Sequence, residues 1–432
     1  MSAVSVGFAG MTHLGINSAA ATAARGFDVV GYDADHVLVE RLRQHRVPVF
    51  EEGLDELIMA NTARLRFSSE ACELKGCDIV YISVDVPTDD QGASDLGPVR
   101  RLIETVAANL RDGGVLVVLC QVPPGFTRQI RGLPHDRVIY QVETLVFGSA
   151  VERALKPERF IVGCADPARP LPAHYREVLD SFGCPILIMR YESAELAKIS
   201  INFCLVASIG VANTLAEVCE AVGADWQEIV PALKLDRRIG RHSYLDPGLG
   251  LAGGNLERDL RTVLDIAAAG SRQSGFDVDA GIVKAWINNS QHRKDWCWRV
   301  LDRRLLANNP MARIAVLGLA YKANTASTKN AASLALLKRL RGKDVRVHDP
   351  VVPASAASCV TRCVDALDCA SGADALVVTT PWPHYRELAV EDIRRVMRGR
   401  LIVDPYRLLD GRRAADAGFE YYALGMLPLL PA

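Results

Sequence analysis

The chain has 432 residues, which is too long for one hydrophobic core and suits two or three domains. Its formal net charge of -1, with 49% hydrophobic and 23% charged residues, is ordinary for a globular protein and gives no general attraction to nucleic acid or membrane. No apolar run is expected to reach membrane-spanning length. The odd count of 11 cysteines and the lack of a signal peptide favour a reducing cytoplasm.

The cysteines are predicted to be thiols rather than metal ligands. Three of them lie inside apolar runs, which is typical of buried thiols: Cys120, Cys204 and Cys219. Cys359, Cys363 and Cys369 cluster, but no histidine lies at metal-ligand spacing from them. No metal site is therefore predicted.

The first part of the chain predicts strands and helices that alternate as in a dinucleotide-binding unit. An apolar strand at 4–8 runs into Gly10, an Ala-rich helix follows at 11–25, and a second strand ends at Asp33. Further helices are predicted near 35–44, 53–63 and 98–110, and further strands at 77–84, 115–122, 138–141, 160–162 and 185–189. This alternation favours a parallel, doubly wound sheet.

The middle of the chain predicts a change to helical structure. Residues 193–222 contain no proline, and their apolar residues recur at helical spacing, which predicts one long helix joining two halves. Helices continue to about residue 308, and a second α/β unit follows. Its predicted elements are a strand within 312–322 that enters a glycine turn, a helix at 331–340, and strands at 344–350, 373–380 and 400–405. We predict three parts, 1–192, 193–308 and 309–432.

The first glycine turn predicts NAD binding. Residues 10–15 read GMTHLG, so Gly10 and Gly15 match the G-x-G-x-x-G pattern while Thr12 replaces its middle glycine. The Thr12 hydroxyl is a candidate donor to a phosphate. Asp33, about twenty residues further on, suits the ribose diol of NAD and would repel the extra phosphate of NADP. The alternative is a purely structural turn between strand and helix.

A second glycine-rich stretch, SYLDPGLGLAGGNLERD at 243–259, follows the long helix. Several glycines after one proline indicate a backbone that turns sharply or approaches a ligand closely. A helix is predicted to begin in the run that follows, with Asp259 in its first turn. A loop that ends in a helix N-terminus can hold an anion or a developing oxyanion. The alternative is a surface loop without chemistry.

Six stretches, in the same order along the chain, resemble motifs of the UDP-glucose/GDP-mannose dehydrogenase family. They are VDVPTDDQGASDL at 84–96, QVPPGFT at 121–127, VETLVFGSAV at 142–151, AELAKISIN at 194–202, DPGLGLAGGNLERD at 246–259 and GLAYKANTAST at 318–328. The resemblance implies an α/β fold with two doubly wound Rossmann-like domains joined by a long central helix and a helical middle domain. It also implies an active site in the cleft between the domains and a homodimer formed through the central helices.

Enzymes of this family oxidise the C6 hydroxyl of a nucleotide sugar to a carboxylate with two NAD. Carried over by position, the resemblance implies acid/base or water-positioning work for Glu143, and an orienting or deprotonating role toward water for Asp259. Lys198 would stabilise negative charge on the sugar oxygen, and Asn202, on the same helix face, would hydrogen-bond it. Gln121 stands where the family often has a threonine linked to the water.

The resemblance also implies binding residues for both ligands. The predicted NAD-binding residues are Gly10, Thr12, Gly15, Asp33, Val84 and Thr88. The predicted substrate-binding residues are Arg238, Tyr244, Gly250, Lys322, Lys329 and Arg407. The two lysines keep positive charge for a phosphate. Arg238 and Arg407 would otherwise be ordinary surface groups.

The largest departure from the family is Asn255, which occupies the position of the catalytic cysteine. That cysteine adds to the intermediate aldehyde as a thiohemiacetal so that a second hydride can leave, and an amide is no comparable nucleophile. Glu257 and Arg258 replace proline and lysine, and Ala326 and Ser327 replace an aspartate pair. The identity of the base or sugar that the C-terminal unit binds is therefore left open.

We predict an NAD-dependent nucleotide-sugar dehydrogenase that acts on a UDP-sugar such as UDP-glucose. We expect it to stop at the two-electron stage, either at a 6-aldehyde or at a ketone formed from another carbinol. One alternative is a full four-electron 6-dehydrogenase that forms UDP-glucuronate through the aldehyde hydrate. Another is a non-catalytic nucleotide-sugar-binding protein. Retention of Glu143, Lys198, Asn202 and Asp259 argues against the last, because a binder has no need of all four. No nucleic-acid or membrane partner is expected.

Overall fold

The computed structural model describes residues 4–49, 51–89, 92–273, 275 and 277–431. The chain divides into two compact units, 1–201 and 202–432, and each contains its own sheet. Strands and helices alternate in both sheet regions, so the predicted α/β class with two Rossmann-like regions is confirmed. The predicted three-part division of the chain stays a prediction.

The sheet of the first unit has eight strands. They are β1 Ser5–Ala9, β2 Asp28–Tyr32, β3 Leu65–Ser68, β4 Ile79–Ile82, β5 Val115–Val118, β6 Val138–Gln141, β7 Phe160–Cys164 and β8 Ile186–Arg190. Their order is β3-β2-β1-β4-β5-β6-β7-β8, and all pairs are parallel except β6 with β7, which is antiparallel. The predicted parallel sheet is thus right for β1–β6 and wrong at the β6–β7 pair. Strand β3 was not predicted because its LRFS sequence is short and contains a charge.

Six α-helices lie wholly within the first unit among the residues that the structure describes. They are α1 His13–Ala24, α2 His36–Arg43, α3 Leu54–Ala60, α4 Gly97–Ala108, α5 Ala150–Leu155 and α6 Ala173–Asp180. Helix α1 buries almost every residue, because its run of alanines lets the helix backbone pack closely on its neighbours. The glycine turn between β1 and α1 is therefore held by a fully packed helix.

Helix α7, Tyr191–Val222, has 32 residues and passes from the first unit into the second. It confirms the predicted long helix. The helix is long enough to span a membrane, and its most apolar 18-residue window has a mean hydropathy of 1.7. The expectation that no apolar run reaches membrane-spanning length was therefore wrong. One such helix is weak evidence of a membrane span, because the core helix of a globular protein satisfies the same criteria.

The second unit continues with helices before its sheet begins. They are α8 Trp226–Leu235, α9 Asn255–Gln273, α10 Gly281–Lys294 and α11 Trp296–Leu301, with a π-helical turn at Asp302–Leu306. Because α9 begins at Asn255, Asp259 lies in its second turn and not in the first as predicted. Gly250, in the preceding loop, has a φ of 80°, and a Cβ there would lie 2.4 Å from the carbonyl oxygen of Ser290. The loop therefore requires glycine where it packs on α10.

The second sheet has six strands, all parallel. They are β9 Arg313–Leu317, β10 Asp344–His348, β11 Thr361–Arg362, β12 Ala375–Val378, β13 Leu401–Val403 and β14 Glu420–Tyr422, in the order β11-β10-β9-β12-β13-β14. The helices of this region are α12 Ala332–Arg339, α13 Ala366–Ala370, α14 Val390–Val396 and α15 Gly411–Asp416. Strands β11 and β14 were not predicted because their sequences, TR and EYY, contain no run of three apolar residues, unlike the three-residue strand β13.

The cysteines are all free thiols in the structure. Cys120 and Cys219 are buried as predicted, but Cys204 is exposed, so that prediction was wrong. Cys204 lies two residues from both Asn202 and Val206, which are buried, and two residues place a side chain on the opposite side of a helix. Among the residues that the structure describes, no cluster of His, Cys, Asp and Glu could hold a metal ion.

The carboxylate of Asp349, at the end of β10, holds the turn that follows β9. It accepts hydrogen bonds from the backbone N–H groups of Leu319, Ala320, Val351 and Val352 and from Nε1 of Trp382. Burial by itself raises the pKa of Asp349, but the backbone donors outweigh it, and the pKa lies below its usual value. This carboxylate therefore stabilises the second unit in its charged form.

We expect Asp349→Asn to lower the free energy of unfolding by about 2–3 kcal/mol, because an amide nitrogen would face backbone donors. Since the pKa of Asp349 is lower in the folded than in the unfolded state, its contribution is present above the unfolded value. It is lost as the pH falls through the folded value. Urea unfolding from pH 7 to pH 2.5 should show a smaller loss of stability for the variant than for the wild type.

The control is Asp344→Asn on β10, which removes only a half-exposed ion pair with Arg313 at 2.8 Å. Such pairs contribute about 0–1 kcal/mol. Equal losses for the two variants would contradict the role assigned to Asp349.

Candidate functional site

The turn after β1 is closed by two glycines. Gly10 has a φ of 97°, and a Cβ there would lie 2.9 Å from Val84, which follows β4. A Cβ on Gly15 would lie 1.9 Å from the carbonyl oxygen of Gly10. Neither position can carry a side chain without moving the turn, so both glycines that the sequence singled out are required by its geometry.

Thr12 sits between these glycines and ties the turn to the loop after β4. Its hydroxyl donates to the carbonyl oxygen of Ser83 at 3.3 Å and accepts from the N–H of Asp85 at 3.0 Å. It does not cap α1, which has no side-chain N-cap. An uncapped helix start suits a bound anion such as a pyrophosphate. The predicted contact of the Thr12 hydroxyl with a phosphate would require replacing one of its present bonds.

Asp33 stands at the carboxyl end of β2, where dinucleotide-binding units contact the ribose. Its two oxygens accept from the N–H groups of Met11 at 2.8 Å and Asp35 at 3.0 Å, and the side chain remains half-exposed. Thr88 lies further along the loop after β4 and forms a short antiparallel bridge with Ser94. The glycine turn, the uncapped helix and the half-exposed carboxylate together fit NAD.

Lys198 of α7 contacts Glu143, in the loop after β6. Its Nζ donates to the Glu143 carbonyl oxygen at 2.9 Å and lies 3.4 Å from Oε2 of the same residue. The other carboxylate oxygen of Glu143 accepts from the N–H of Leu145. The side chains of Lys198 and Glu143 are only 11% and 17% exposed. A cation that is largely shielded from solvent stabilises a nearby oxyanion more strongly than a cation in water would.

Asn202 and Asp259 are brought together in the second unit. Nδ2 of Asn202 donates to Oδ2 of Asp259 at 2.5 Å, and both residues are buried. Nε of the buried Arg258 lies 3.6 Å from Oδ1 of Asp259. The guanidinium compensates a carboxylate that would be costly to bury alone. Sequence reasoning noted Arg258 only as a replacement and did not predict this contact.

The glycine-rich loop before α9 is tied to the loop that follows β9. Gly253 donates its N–H to the Lys329 carbonyl oxygen at 2.9 Å, and its own carbonyl accepts from Nδ2 of Asn330 at 2.9 Å. Glu257 accepts from Nζ of Lys294 at 2.8 Å and also from Asn330. Lys294 and Asn330 were not sequence candidates, because a bond across 37 or 73 residues leaves no local pattern.

Of three predicted substrate-binding residues, two form ion pairs within the protein and one is an exposed tyrosine. Arg407 forms a two-bond ion pair with Asp225 at 2.8 and 3.0 Å. Arg238 pairs with Asp236 at 2.7 Å and is 89% exposed, and Tyr244 is 52% exposed. The roles of these three residues in substrate binding stay predictions, and the guanidinium of Arg407 is already paired with Asp225.

The remaining predicted residues take varied positions. Lys322 places its Nζ 5.8 Å from the ring centroid of Tyr321, and Lys329 is half-buried in the same loop. Gln121 is half-buried in the loop after β5. Asn255 is exposed as the first residue of α9, so the position that the resemblance assigns to the family's cysteine lies at a helix start.

A Rossmann sheet with a glycine turn beside an uncapped helix start, together with a buried lysine next to a carboxylate, is typical of one class of protein, the NAD-dependent oxidoreductases. Residues 4–182 match the NAD binding domain of the UDP-glucose/GDP-mannose dehydrogenase family, residues 192–286 its central domain and residues 315–411 its UDP binding domain. The chain belongs to this family, and it is an NAD-dependent dehydrogenase of nucleotide sugars. The predicted family, cofactor and enzyme class are confirmed.

The likeness extends over whole chains. A UDP-glucose 6-dehydrogenase of Pseudomonas aeruginosa is 30% identical over 96% of this chain and 96% of its own. The structure of a UDP-glucose dehydrogenase from Pyrobaculum islandicum superposes with a TM-score of 0.84 at 29% identity, covering 97% of each chain. A UDP-D-ManNAc dehydrogenase from Pyrococcus horikoshii gives 0.83 at 24% identity over 98% and 99% of the two chains, a likeness that shows the fold alone.

We expect Gly15→Ala to raise the dissociation constant for NAD at least about tenfold, a change of roughly 1.4 kcal/mol. The reason is that a Cβ 1.9 Å from the Gly10 carbonyl must displace the turn or α1. Isothermal titration with NAD measures the change. Gly76→Ala is the control, because a Cβ at Gly76, also in the first unit, meets nothing within 4 Å. Unchanged affinity in Gly15→Ala would exclude this turn as the NAD site.

Proposed function

We propose that the protein oxidises the C6 hydroxyl of a UDP-sugar, with UDP-glucose as the first candidate. The observation that carries the proposal is the full-length likeness to a UDP-glucose 6-dehydrogenase, combined with the Lys198–Glu143 and Asn202–Asp259 contacts. Both pairs consist of residues to which the resemblance gives catalytic roles. A UDP binding domain in the same chain further supports a uridine nucleotide.

Each residue receives a role that fits its chemistry. Loss of a hydride and a proton from the CH–OH group turns the alcohol into a carbonyl, and negative charge develops on the oxygen. Lys198 stabilises that charge as a cation, and Asn202 does so as an amide donor. Asp259 is already an acceptor of the Asn202 amide and serves to orient water, while Glu143 accepts or returns a proton. NAD supplies the hydride acceptor.

We infer that oxidation stops after two electrons. The first step converts R–CH2OH into R–CHO, with one hydride passing to NAD and one proton released. The second oxidation in the family depends on a cysteine thiolate that adds to the aldehyde, and Asn255 has no such nucleophile. Gln121, where the family often has threonine, removes a second group linked to water.

One alternative keeps the four-electron reaction. Water adds to the aldehyde to give R–CH(OH)2, and loss of a hydride and a proton from this hydrate gives the acid without a thiol. The buried Asp259, bonded to Asn202 and close to Arg258, is a suitable acceptor for one hydroxyl of the hydrate. We expect this route to be slower than the thiol route, because no covalent intermediate holds the aldehyde in place.

We also propose a homodimer in the cytoplasm. Four exposed apolar residues follow one face of α7: Val211, Leu215, Val218 and Val222. Their spacing of three and four residues forms a continuous stripe, which is typical of a helix packed against another surface. Free thiols throughout the described chain are consistent with a reducing compartment.

We expect about one NADH per mole of UDP-glucose and a product two mass units lighter than the substrate. NADH absorbance and mass spectrometry measure both quantities. In Asn255→Cys, where a thiol returns to the family's position, the ratio should rise toward two, with a product fourteen mass units heavier than the substrate. Asn255→Ser, which lacks a thiolate, is the control.

A ratio of two in the wild type would refute the two-electron proposal and favour the hydrate route. Tight binding of NAD and UDP-glucose without any NADH would favour a non-catalytic role.

We expect Lys198→Met to lower kcat by about 100- to 1,000-fold while leaving the affinity for NAD unchanged. The reason is that the variant keeps the length of the side chain and removes the charge that stabilises the oxyanion. Steady-state kinetics and direct NAD titration separate the two quantities. Lys75→Met removes an exposed lysine of the same unit and should alter neither. A fall in kcat of less than threefold in Lys198→Met would contradict the role of Lys198.

A further inference from the structure

Glu51 is a buried carboxylate that contacts two parts of the first unit at once. Its side chain is only 1% exposed, and Oε1 lies 2.7 Å from Nε2 of His13. Oε1 and Oε2 both accept from the N–H of Gly148, at 2.8 and 3.0 Å, and Oε2 accepts from the N–H of Ala150 at 3.2 Å. One carboxylate thus bonds a side chain of the glycine turn and the backbone at the start of α5.

His13 makes the second connection. It is the first residue of α1 and lies inside the GMTHLG turn, with its side chain 7% exposed. Its ring stacks on Phe147 with the centroids 3.9 Å apart and the planes inclined by 26°. His13 therefore contacts the loop between β6 and α5 directly through Phe147, and indirectly through Glu51.

This loop carries Glu143, and two further side chains bond the loop near that residue. Lys198 donates to the Glu143 carbonyl oxygen, and Nε of Arg153 donates to the Thr144 carbonyl oxygen at 2.7 Å. Eight residues separate β6 from α5, and they form neither helix nor strand in the structure. The path of the loop, and with it the direction of the Glu143 side chain, depends on how both ends are held.

The charge of Glu51 gives the contact its strength. A carboxylate that is 1% exposed is costly to bury unless it is hydrogen-bonded and compensated. Two backbone donors and an imidazole supply those bonds, and the negative charge is favourable at the first turn of α5. Among the contacts of Glu51 described above, only the bond to His13 reaches the glycine turn. Removing His13 therefore breaks this link between the carboxylate and the turn.

We propose that His13 and Glu51 are positioning residues that couple the dinucleotide turn to the loop carrying Glu143. Occupation of the turn by NAD then fixes His13 and α1, and through Glu51 and Phe147 it fixes the loop. The consequence for catalysis rests on the proposed role of Glu143. The coupling itself concerns only the turn and the loop, and it is measurable without turnover.

Hydrogen exchange read by mass spectrometry tests the coupling in the whole protein. In the wild type, saturating NAD should slow the exchange of the amides of residues 145–150 by about fivefold or more. In His13→Phe, which keeps an aromatic ring for Phe147 but has no nitrogen for Glu51, the slowing should be lost although NAD still binds. His13→Gln, which keeps a donor, should regain part of it. His36→Phe is the control, because His36 is also the first residue of a helix but is exposed.

Equal protection of residues 145–150 in NAD-bound wild type and His13→Phe would overturn the proposal. If His13→Phe fails to fold, Glu51→Gln provides the same comparison, since its amide nitrogen would face the donors of Gly148 or Ala150. In the kinetic assay, His13→Phe should lower kcat about tenfold with little change in KM for the sugar, and His13→Gln should restore most of it. A loss of thermal stability with unchanged kcat would overturn the positioning role.

A wild-type protein that binds NAD but turns over no sugar would refute the proposed function. The hydrogen-exchange comparison would then decide the coupling by itself.

Discussion

In each of the two sheets, a carboxylate that follows the second strand along the chain accepts a hydrogen bond from the glycine turn after the first strand. Asp33 accepts from Met11 in the first unit, and Asp349 accepts from Leu319 in the second. The bond follows from parallel topology, because neighbouring parallel strands end at the same edge of the sheet. The two carboxylates differ in the number of hydrogen bonds that they accept and in their exposure to a ligand. Asp33 accepts two hydrogen bonds and is half-exposed, whereas Asp349 accepts five and is 3% exposed, so only the first is accessible to a ribose.

The helix that follows each turn reinforces this difference. In the first unit α1 begins at His13, three residues after Gly10, and its uncapped N-terminus adjoins the turn. In the second unit α12 begins only at Ala332, and residues 319–331 form a long loop after Gly318. A helix start beside the turn suits a pyrophosphate, while a long loop with lysines and hydroxyl side chains suits a ligand held by side chains and loop backbone. Two sheets of similar topology thus serve as an NAD binding domain and a UDP binding domain.

The sequence predicted the elements whose signal is local and missed the contacts that are not. Apolar runs located most strands, and the missing strands β3, β11 and β14 contain no run of three apolar residues. Cys204 was assigned to the core because its neighbours are apolar, but helical geometry turns it outward. The resemblance identified Lys198 and Asn202, since their spacing belongs to one motif. The partners of His13 and Glu257 lie 37 or more residues away, and no pattern of neighbouring residues indicates such pairs.

The departures from the family near α9 form compensated contacts. Glu257, which the resemblance sets in place of a proline, is bonded by Lys294 and Asn330. Arg258, which it sets in place of a lysine, lies beside the buried Asp259. Placing a charge at a buried or half-buried position without a partner would be costly. Here both groups are paired, and the Asn202–Asp259 bond lies next to them. Asn255 is exposed at the first position of α9. These paired contacts support the proposal that the start of α9 carries part of a working active site.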